Sequence, residues 1–304
     1  MAQEPRKTTE TIKYAVVTGA NKGIGFEICK QLASHGITVV LTARAEKRGL
    51  EAVEKLREYG FSDNIIFHQL NVMDPASINS LAEFIKSQFG RLDILVNNAG
   101  IEGAIMDSDA LRALRGGDVV PGEAQINWND MTQTYDLAVK CLETNYYGAK
   151  RTVEVLLPLL QLSNSPRIVN VSSSMGKLKS IPSEWARSVL RDAENLTEES
   201  IDQVLNEFLK DFKEGTLEAN GWPLFSSAYI LSKAAMNANT RILAKKYPHF
   251  RINCVSPGSV KTDMTYNTGI LTVEEGAQGP VMVALLPDDG PSGLFFERKE
   301  VSSF

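Results

Sequence analysis

A tyrosine and a lysine one helical turn apart are the side chains best placed for chemistry. Tyr229 and Lys233 stand at i and i+4 in the run Ser226-Ser-Ala-Tyr-Ile-Leu-Ser-Lys233, a spacing that puts both on one face of a helix. An ammonium group beside a phenol favours the ionised phenol, so a tyrosine with a reference pKa of about 10 can exchange protons near neutral pH. The pair therefore predicts an acid–base site, although a Tyr-x-x-x-Lys sequence alone also arises by chance.

A glycine-rich segment near the N-terminus predicts a phosphate-binding turn. The run Thr18-Gly-Ala-Asn-Lys-Gly-Ile-Gly25 lies between a predicted first strand and a predicted first helix. Glycines allow a sharp turn close to a phosphate, and the N–H groups of a helix N-terminus attract it. The spacing is Gly-x-x-x-Gly-x-Gly rather than the dinucleotide fingerprint Gly-x-Gly-x-x-Gly, so a glycine-rich turn without a ligand is the alternative. The predicted nucleotide contacts here are Gly19, Asn21, Lys22, Gly23, Ile24 and Gly25.

The end of the second predicted strand indicates which nicotinamide cofactor fits. An acidic residue there would bond the ribose hydroxyls of NAD, whereas an arginine accommodates the 2′-phosphate of NADP. The segment Thr42-Ala-Arg44 has no acidic residue. Arg44 and Lys22 would supply two cations for that phosphate, so the sequence predicts NADPH/NADP+ as cofactor. The alternative is that Arg44 is a solvated loop residue.

Short apolar runs alternate with longer amphipathic ones, as in a parallel sheet covered by helices. We predict seven strands, at 14–18, 37–42, 64–72, 92–96, 167–172, 251–255 and 294–296. Asp74-Pro75 predicts a helix start, with a cap followed by a proline at the first helical position. The predicted fold is α/β, a Rossmann-like, doubly wound and mostly parallel seven-stranded sheet with helices on both faces.

Composition and charge exclude several classes of protein. The chain has 304 residues, of which 43% are hydrophobic, and a formal charge of −5 without a long basic run, which argues against nucleic-acid and anionic-membrane partners. Cys29, Cys141 and Cys254 are widely scattered, so neither a disulfide framework nor a metal site is predicted. We find no signal-peptide pattern and no bilayer-spanning apolar run. We therefore expect a cytoplasmic protein of one domain, 1–304, with a flexible leader at 1–12.

Further motifs follow the later strands in order. They are Asn97-Asn-Ala-Gly100, Val171-Ser-Ser-Ser174 and Pro257-Gly-Ser-Val-Lys-Thr262. Together with the glycine-rich turn and the Tyr229/Lys233 pair, they make the chain resemble the short-chain dehydrogenase/reductase family along essentially its whole length. An open α/β sheet also binds ligands at the carboxyl ends of its strands. The resemblance implies further cofactor contacts at Asn71, Val72, Asn98, Ala99, Gly100, Tyr229, Lys233, Pro257, Gly258, Val260 and Thr262.

One of these positions departs from the family pattern. The family commonly has an aspartate after the third strand that contacts the adenine, whereas this chain has Asn71. An amide can both donate and accept hydrogen bonds. We therefore expect the cofactor to bind there with altered detail.

The resemblance also implies a catalytic tetrad of Asn145, Ser173, Tyr229 and Lys233. Ser173 would hydrogen-bond a carbonyl oxygen, and Tyr229 would deliver the proton as hydride arrives from the nicotinamide. Lys233 would hold the nicotinamide ribose and lower the pKa of Tyr229, while Asn145 would keep a water that passes protons toward Lys233. The family alignment selects Ser173. The residues alone do not separate it from the serine on either side.

Two segments, 101–135 and 178–222, are longer than in the short members of the family and should lie on the substrate side of the sheet. The second contains an apolar stripe at helical spacing, preceded by Thr197 as a predicted cap. Its members are Ile201, Val204, Leu205, Phe208 and Phe212. We expect an inserted helical lid that excludes water from hydride transfer, with surface decoration as the alternative. By resemblance, such an insertion covers the helices that usually pack between subunits, which implies a monomer.

Within the family, the insertions, residues 21–27 and the tail at 289–293 resemble the plant group that contains salutaridine reductase and menthone:neomenthol reductase. This resemblance implies an NADPH-dependent carbonyl reductase, reversible as an alcohol dehydrogenase, acting on a small hydrophobic cyclic ketone of terpenoid or alkaloid type. One alternative is a double-bond reductase on the same scaffold, although relatives with that activity lack the tyrosine. The other is a non-redox nucleotide-binding protein, which an intact tetrad disfavours.

Overall fold

Residues 12–107 and 130–304 are described by a computed structural model. Residues 1–11 of the expected leader and 108–129 of the first expected insertion lie outside the described residues. No helix in the described ranges is long and apolar enough to cross a membrane.

The strands that build the central sheet are short and mostly buried. Those described are β1 (Tyr14–Val17), β2 (Thr38–Ala43), β3 (Ile65–Gln69), β4 (Ile94–Asn97), β5 (Ile105–Met106), β6 (Met131–Thr132), β7 (Arg167–Val171), β8 (Arg251–Ser256), β9 (Phe295–Glu297) and β10 (Glu300–Ser302). Within the described residues, one sheet has eight strands in the order β10-β9-β8-β7-β4-β1-β2-β3, while β5 and β6 pair separately. The seven predicted strands are confirmed and run parallel. The prediction missed β5 and β6 and also β10, which pairs antiparallel with β9 at the edge.

Helices cover both faces of this sheet, as predicted. Those described are α1 (Gly23–Ser34), α2 (Glu46–Glu58), α3 (Pro75–Phe89), α4 (Tyr135–Leu142), α5 (Gly148–Leu160), α6 (Glu184–Arg191), α7 (Glu198–Glu214), α8 (Ser227–Lys246) and α9 (Val273–Ala284). Side chains alternate across a strand, so Val17 packs with α1, α2 and α9 whereas Val16 packs with α3 and α5. The helix start predicted at Asp74 is confirmed, because its side chain accepts a hydrogen bond from Ala76 N at 3.0 Å.

The second insertion forms α6 and α7 and packs on the helix that carries Tyr229. Thr197 caps α7 reciprocally with Ser200. The stripe predicted along α7 is buried against α8 and α4 in one apolar cluster that also contains Tyr229 and Trp222. A second helix of the chain therefore covers the outer face of α8.

Candidate active site

The central strands β1, β4, β7 and β8 end side by side, and their following loops meet. Thr18, just after β1, accepts hydrogen bonds from the N–H groups of Asn98 and Ala99, both at 2.9 Å. The Asn98 amide donates back to the carbonyl oxygens of Thr18 and Gly19 at 2.9 and 3.2 Å. At the end of β8, the Ser256 hydroxyl accepts a hydrogen bond from Ser174 N at 3.1 Å. Adjacent parallel strands thus bring the predicted motifs to one edge of the sheet.

The glycine-rich turn packs directly against the loop after β4. Gly19 has φ +63°, and a Cβ there would lie 2.9 Å from the Cα of Ala99. A Cβ at Gly25 would lie 2.4 Å from the Asn98 amide nitrogen. Among the described side chains none caps the start of α1, so its first N–H groups remain available to an anion. These features fit the pyrophosphate of a dinucleotide.

Lys22, one of the two predicted phosphate cations, forms an ion pair with Asp263. Asp263 follows Thr262, whose methyl group would lie 3.5 Å from a Cβ at Gly23. The glycine-rich turn and the loop after β8 therefore face each other. Arg44 lies exposed at the end of β2, as a ligand for a 2′-phosphate requires.

The loop after β3 lies at the same edge of the sheet as the other predicted cofactor loops. Asn71 N donates to the Ser77 hydroxyl at 2.9 Å, and the Asn71 side chain accepts from Met73 N at 3.2 Å. Val72 is buried against Gly148, where a Cβ would approach it to 2.8 Å. These contacts hold Asn71, the residue that departs from the family pattern, in a fixed turn.

Ser173, Tyr229 and Lys233 lie together at the end of β7. The Ser173 hydroxyl lies near enough to Tyr229 to oppose the rise in the pKa of the phenol. Lys233 Nζ lies 5.6 Å from the centre of the Tyr229 ring and donates to the carbonyl oxygen of Val171 at 2.8 Å. Of the three adjacent serines, Ser172 instead points into the core and bonds Asn237 at 2.6 Å. The Ser172 hydroxyl is therefore already engaged in the core, and Ser173 remains the serine that we predict as the partner of the tyrosine.

Asn145 reaches the same site from a π-helical turn, Glu143–Tyr147, that joins α4 to α5. Its amide donates to Ile101 O at 2.9 Å and to Ser232 at 3.0 Å, while its oxygen accepts from Ile101 N at 2.8 Å. A Cβ at Gly100 would lie 3.3 Å from this oxygen and 3.6 Å from Lys233 Nζ. Single π-helical turns are frequent at functional sites, but nothing in the sequence marked this one.

The ionisation of Tyr229 differs from what we predicted. Burial raises the pKa of Tyr229, the charge of Glu102 adds to this effect, and the Ser173 hydroxyl opposes it. Burial also lowers the pKa of Lys233 to about 8, against the opposing influence of Cys141 and Glu102. The expected lowering of the Tyr229 pKa is therefore wrong in direction, because desolvation by burial is the largest influence on the phenol.

Glu102 is a site residue that sequence reasoning missed. It follows the predicted cofactor loop by two positions, and its carboxylate accepts a hydrogen bond from the Ser226 hydroxyl at 2.6 Å. Burial raises the pKa of Glu102 to about 7, with Ser226 and Lys233 opposing the rise. No spacing pattern identifies it, because its partners lie far along the chain. The described part of the chain contains no cluster of His, Cys, Asp and Glu that could hold a metal ion.

Comparison with known proteins gives similarity over nearly the whole chain. The family model for short chain dehydrogenase matches residues 13–184. The (+)-neomenthol dehydrogenase of Arabidopsis thaliana is 62% identical over 299 residues, covering 97% of this chain and 99% of that protein. The mouse (Mus musculus) protein carbonyl reductase (NADPH) 1 is 38% identical and covers 94% and 96%. The solved structure of salutaridine reductase from Papaver somniferum matches with a TM-score of 0.89 and 55% identity, covering 94% and 99%.

Proposed function

The chain belongs to the short-chain dehydrogenase family, and we propose that it is an NADPH-dependent carbonyl reductase that also runs in reverse as an alcohol dehydrogenase. The observation that carries this proposal is the position of Lys233, whose Nζ lies 5.6 Å from the centre of the Tyr229 ring and bonds the end of β7, the strand that Ser173 follows. A carbonyl oxygen placed at these two hydroxyls accepts a hydrogen bond from Ser173 and a proton from Tyr229. NADPH, when bound, supplies the hydride.

The raised pKa of Tyr229 suits reduction, because the phenol keeps its proton until the carbonyl oxygen gains negative charge. The lowered pKa of Lys233, about 8, puts this amine near the pH at which it can exchange protons. After the transfer, Lys233 and the water that we place at Asn145 return a proton to the tyrosinate. Tyr229 thus acts as the acid, and Lys233 supplies the proton that restores it.

The cofactor contacts are proposed from the loops that meet at the strand ends. The turn from Gly19 to Gly25 and the start of α1 would hold the pyrophosphate. Tyr229 and Lys233 would hold the nicotinamide ribose, and Asn71 would approach the adenine. The end of β2 has Arg44 and no acidic residue, which supports NADPH over NADH. Further proposed contacts are Asn21, Lys22, Ile24, Val72, Asn98, Ala99, Gly100, Pro257, Gly258, Val260 and Thr262.

A hydrophobic cyclic ketone of terpenoid or alkaloid type is the proposed substrate. Large apolar side chains stand exposed in the segments that lead into the site, with Leu224 and Phe225 just before α8 and Met264 and Ile270 in the loop after β8. Neomenthol dehydrogenase and salutaridine reductase, to which the chain is similar, are named for molecules of these classes. Apolar walls with few polar groups favour such ligands.

We further propose that α6 and α7 form a lid over this site and that the enzyme is a monomer. Support comes from the burial of the α7 stripe on α8 within one chain. The three cysteines are free and buried, which fits the reducing cytoplasm that we propose as its location.

A panel of cyclic ketones, enones and aldehydes, followed by NADPH absorbance, tests the proposed activity. Tyr229→Phe removes only the hydroxyl, so ketone reduction should fall roughly 10²-fold to 10⁴-fold while NADPH still binds. Tyr247→Phe, at the other end of the same helix, is the matched control and should retain activity. Full ketone reduction by Tyr229→Phe would make Tyr229 structural, and conversion of enones to saturated ketones would then favour the double-bond reductase.

A further inference from the structure

Glu102 lies on a rigid piece of backbone between the cofactor loop and β5. The Cys141 thiol contacts the carbonyl oxygens of Ile101 and Glu102 at 3.4 and 3.7 Å. Asn145 holds both backbone groups of Ile101. Gly103 has φ +73°, and a Cβ there would lie 2.5 Å from the Cβ of Cys141. The position of the Glu102 side chain is therefore determined by α4 and the π-helical turn.

The Glu102 carboxylate holds the start of α8. Ser226, the residue before this helix, is 1% exposed and has φ +44°, in the left-handed region that serine rarely adopts. Its hydroxyl donates to Glu102 at 2.6 Å and does not cap its own helix. Gln133 holds the next residue, accepting from the backbone and hydroxyl of Ser227 at 2.7 and 2.8 Å. The side chains of Glu102 and Gln133, both in the first insertion (101–135), thus fix the start of α8.

Tyr229 lies three residues after Ser226, in the first turn of α8. A change in the direction of that turn moves the Tyr229 hydroxyl relative to Ser173, which belongs to a different element at the end of β7. Proton transfer requires hydrogen-bond geometry within a few tenths of an ångström. The hydrogen bond from Ser226 to Glu102 therefore also fixes the position of Tyr229, the proposed proton donor.

The charge of Glu102 acts on the same residues. Ionised Glu102 raises the pKa values of Tyr229 and Lys233 and of the Cys141 thiol. Of these three groups, Lys233 is the cation. Because the pKa of Glu102 is raised to about 7, its charge changes across the neutral pH range.

We propose that Glu102 is a positioning residue for Tyr229 that holds the first turn of α8 through Ser226. When ionised, the carboxylate also opposes the loss of the Tyr229 proton. This inference rests on the proposed role of Tyr229 as proton donor. Carbonyl reduction starts from the phenol, and alcohol oxidation needs the tyrosinate. Ionised Glu102 consequently favours reduction over oxidation.

Glu102→Gln separates the charge from the hydrogen bond, because the amide oxygen still accepts from Ser226. The acid limb of kcat for alcohol oxidation should move to lower pH by about one unit, the scale of one charge acting across ~10 Å of protein. Glu184→Gln removes a charge from an exposed side chain on α6 and should leave that limb in place. An unmoved limb in Glu102→Gln would overturn the electrostatic half of the proposal.

Ser226→Gly tests the positioning half while the carboxylate remains. Glycine adopts φ +44° readily, so folding should be retained or improved, whereas the bond to Glu102 is lost. We expect kcat for ketone reduction to fall roughly 10-fold, the scale of a misplaced catalytic group, with KM and NADPH affinity within about twofold of wild type. An unchanged kcat would contradict the proposal. This variant also serves if Glu102→Gln does not fold.

The same assays separate this inference from the proposed function. Tyr229→Phe that is inactive, together with an unmoved pH limb in Glu102→Gln and an unchanged kcat in Ser226→Gly, would refute the role of Glu102 alone. Full activity of Tyr229→Phe would refute both.

Discussion

Lys233 Nζ donates a hydrogen bond of 2.8 Å to the carbonyl oxygen of Val171, the last residue of β7. The bond ties the second turn of α8 to the strand whose end carries Ser173. It also places the amine in the interior, where burial lowers the pKa of Lys233 to about 8. The same contact thus sets the geometry of the proposed site and the ionisation of one of its members.

Lys233→Met should change how the free energy of unfolding depends on pH. The folded-state pKa of about 8 lies below the reference value of about 10.4. Between these two values the unfolded chain binds more protons than the folded chain, so this group makes stability rise with pH. The whole rise is on the order of 3 kcal/mol. Methionine does not titrate and should abolish it.

Urea unfolding of both proteins at several values from about pH 7 to about pH 11 measures the effect of that substitution. Wild type should gain stability relative to Lys233→Met as the pH rises. A difference between the two proteins that stays constant over this range would mean that Lys233 titrates as it does in the unfolded chain.

Arg44→Ala should weaken NADPH binding by roughly 1.5–3 kcal/mol, the scale of a hydrogen bond to a charged group, and leave NADH binding nearly unchanged. Arg57→Ala is the matched control, because Arg57 lies near the end of α2 in an ion pair with Glu54. Titration of both variants with each cofactor, followed by fluorescence, provides the comparison. Equal turnover of NADH and NADPH by the wild-type enzyme would contradict the proposed cofactor.

Trp222→Phe should loosen the inserted helices. Trp222 Nε1 donates to the buried carboxylate of Asp211 at 2.6 Å, and its loss should lower stability by about 1–3 kcal/mol. If α6 and α7 are a lid, KM for bulky ketones should rise and kcat should fall, while NADPH affinity stays the same. Thermal unfolding and steady-state kinetics measure the two effects.

The neighbouring Trp185→Phe is the control for that variant. Trp185 packs edge-on against Trp222 with ring centres 6.4 Å apart and is 41% exposed, so this change removes the same ring volume but keeps the Asp211 bond. Wild-type kinetics in both variants would show that the insertion does not act on the substrate.

Light scattering at micromolar concentration should give the mass of a single chain, 33.4 kDa. The reason is that α7 buries its apolar stripe on α8 and so covers a face that would otherwise be available to a second subunit. A stable tetramer would place the subunit contacts elsewhere and remove the structural basis for the monomer.

The amino-acid sequence was sufficient for the parallel part of the sheet and for the order of the motifs along it. The strands β1, β2, β4, β7 and β8 are apolar runs, which are stable only when buried in the sheet. Parallel strands then bring the loops that follow them to one edge of the sheet. The sharp turn between β1 and α1 was also predictable from the sequence, because glycines permit such a turn. The close approach of Gly19 to Ala99 supplies the physical reason.

The strand β10 and the π-helical turn around Asn145 could not be predicted from the sequence pattern. The strand β10 has three residues and no buried apolar side chain, and it forms because β9 offers a free edge and Lys177 bonds both Glu297 and Ser302. The π-helical turn around Asn145 inserts an extra residue into a continuous helical pattern. Local periodicity does not encode either feature.

Side-chain direction and burial were decided only by tertiary structure. Ser173 was proposed by resemblance, and only packing shows that the neighbouring Ser172 donates its hydroxyl to Asn237. The direction of the Tyr229 pKa shift depends on how much protein surrounds the phenol, which no i, i+4 spacing reveals. The contact between Glu102 and Ser226 joins residues 124 positions apart. Desolvation and long-range contacts arise only when distant segments pack together, so residue types and spacing suggested groups for the proposed site but not how those groups ionise.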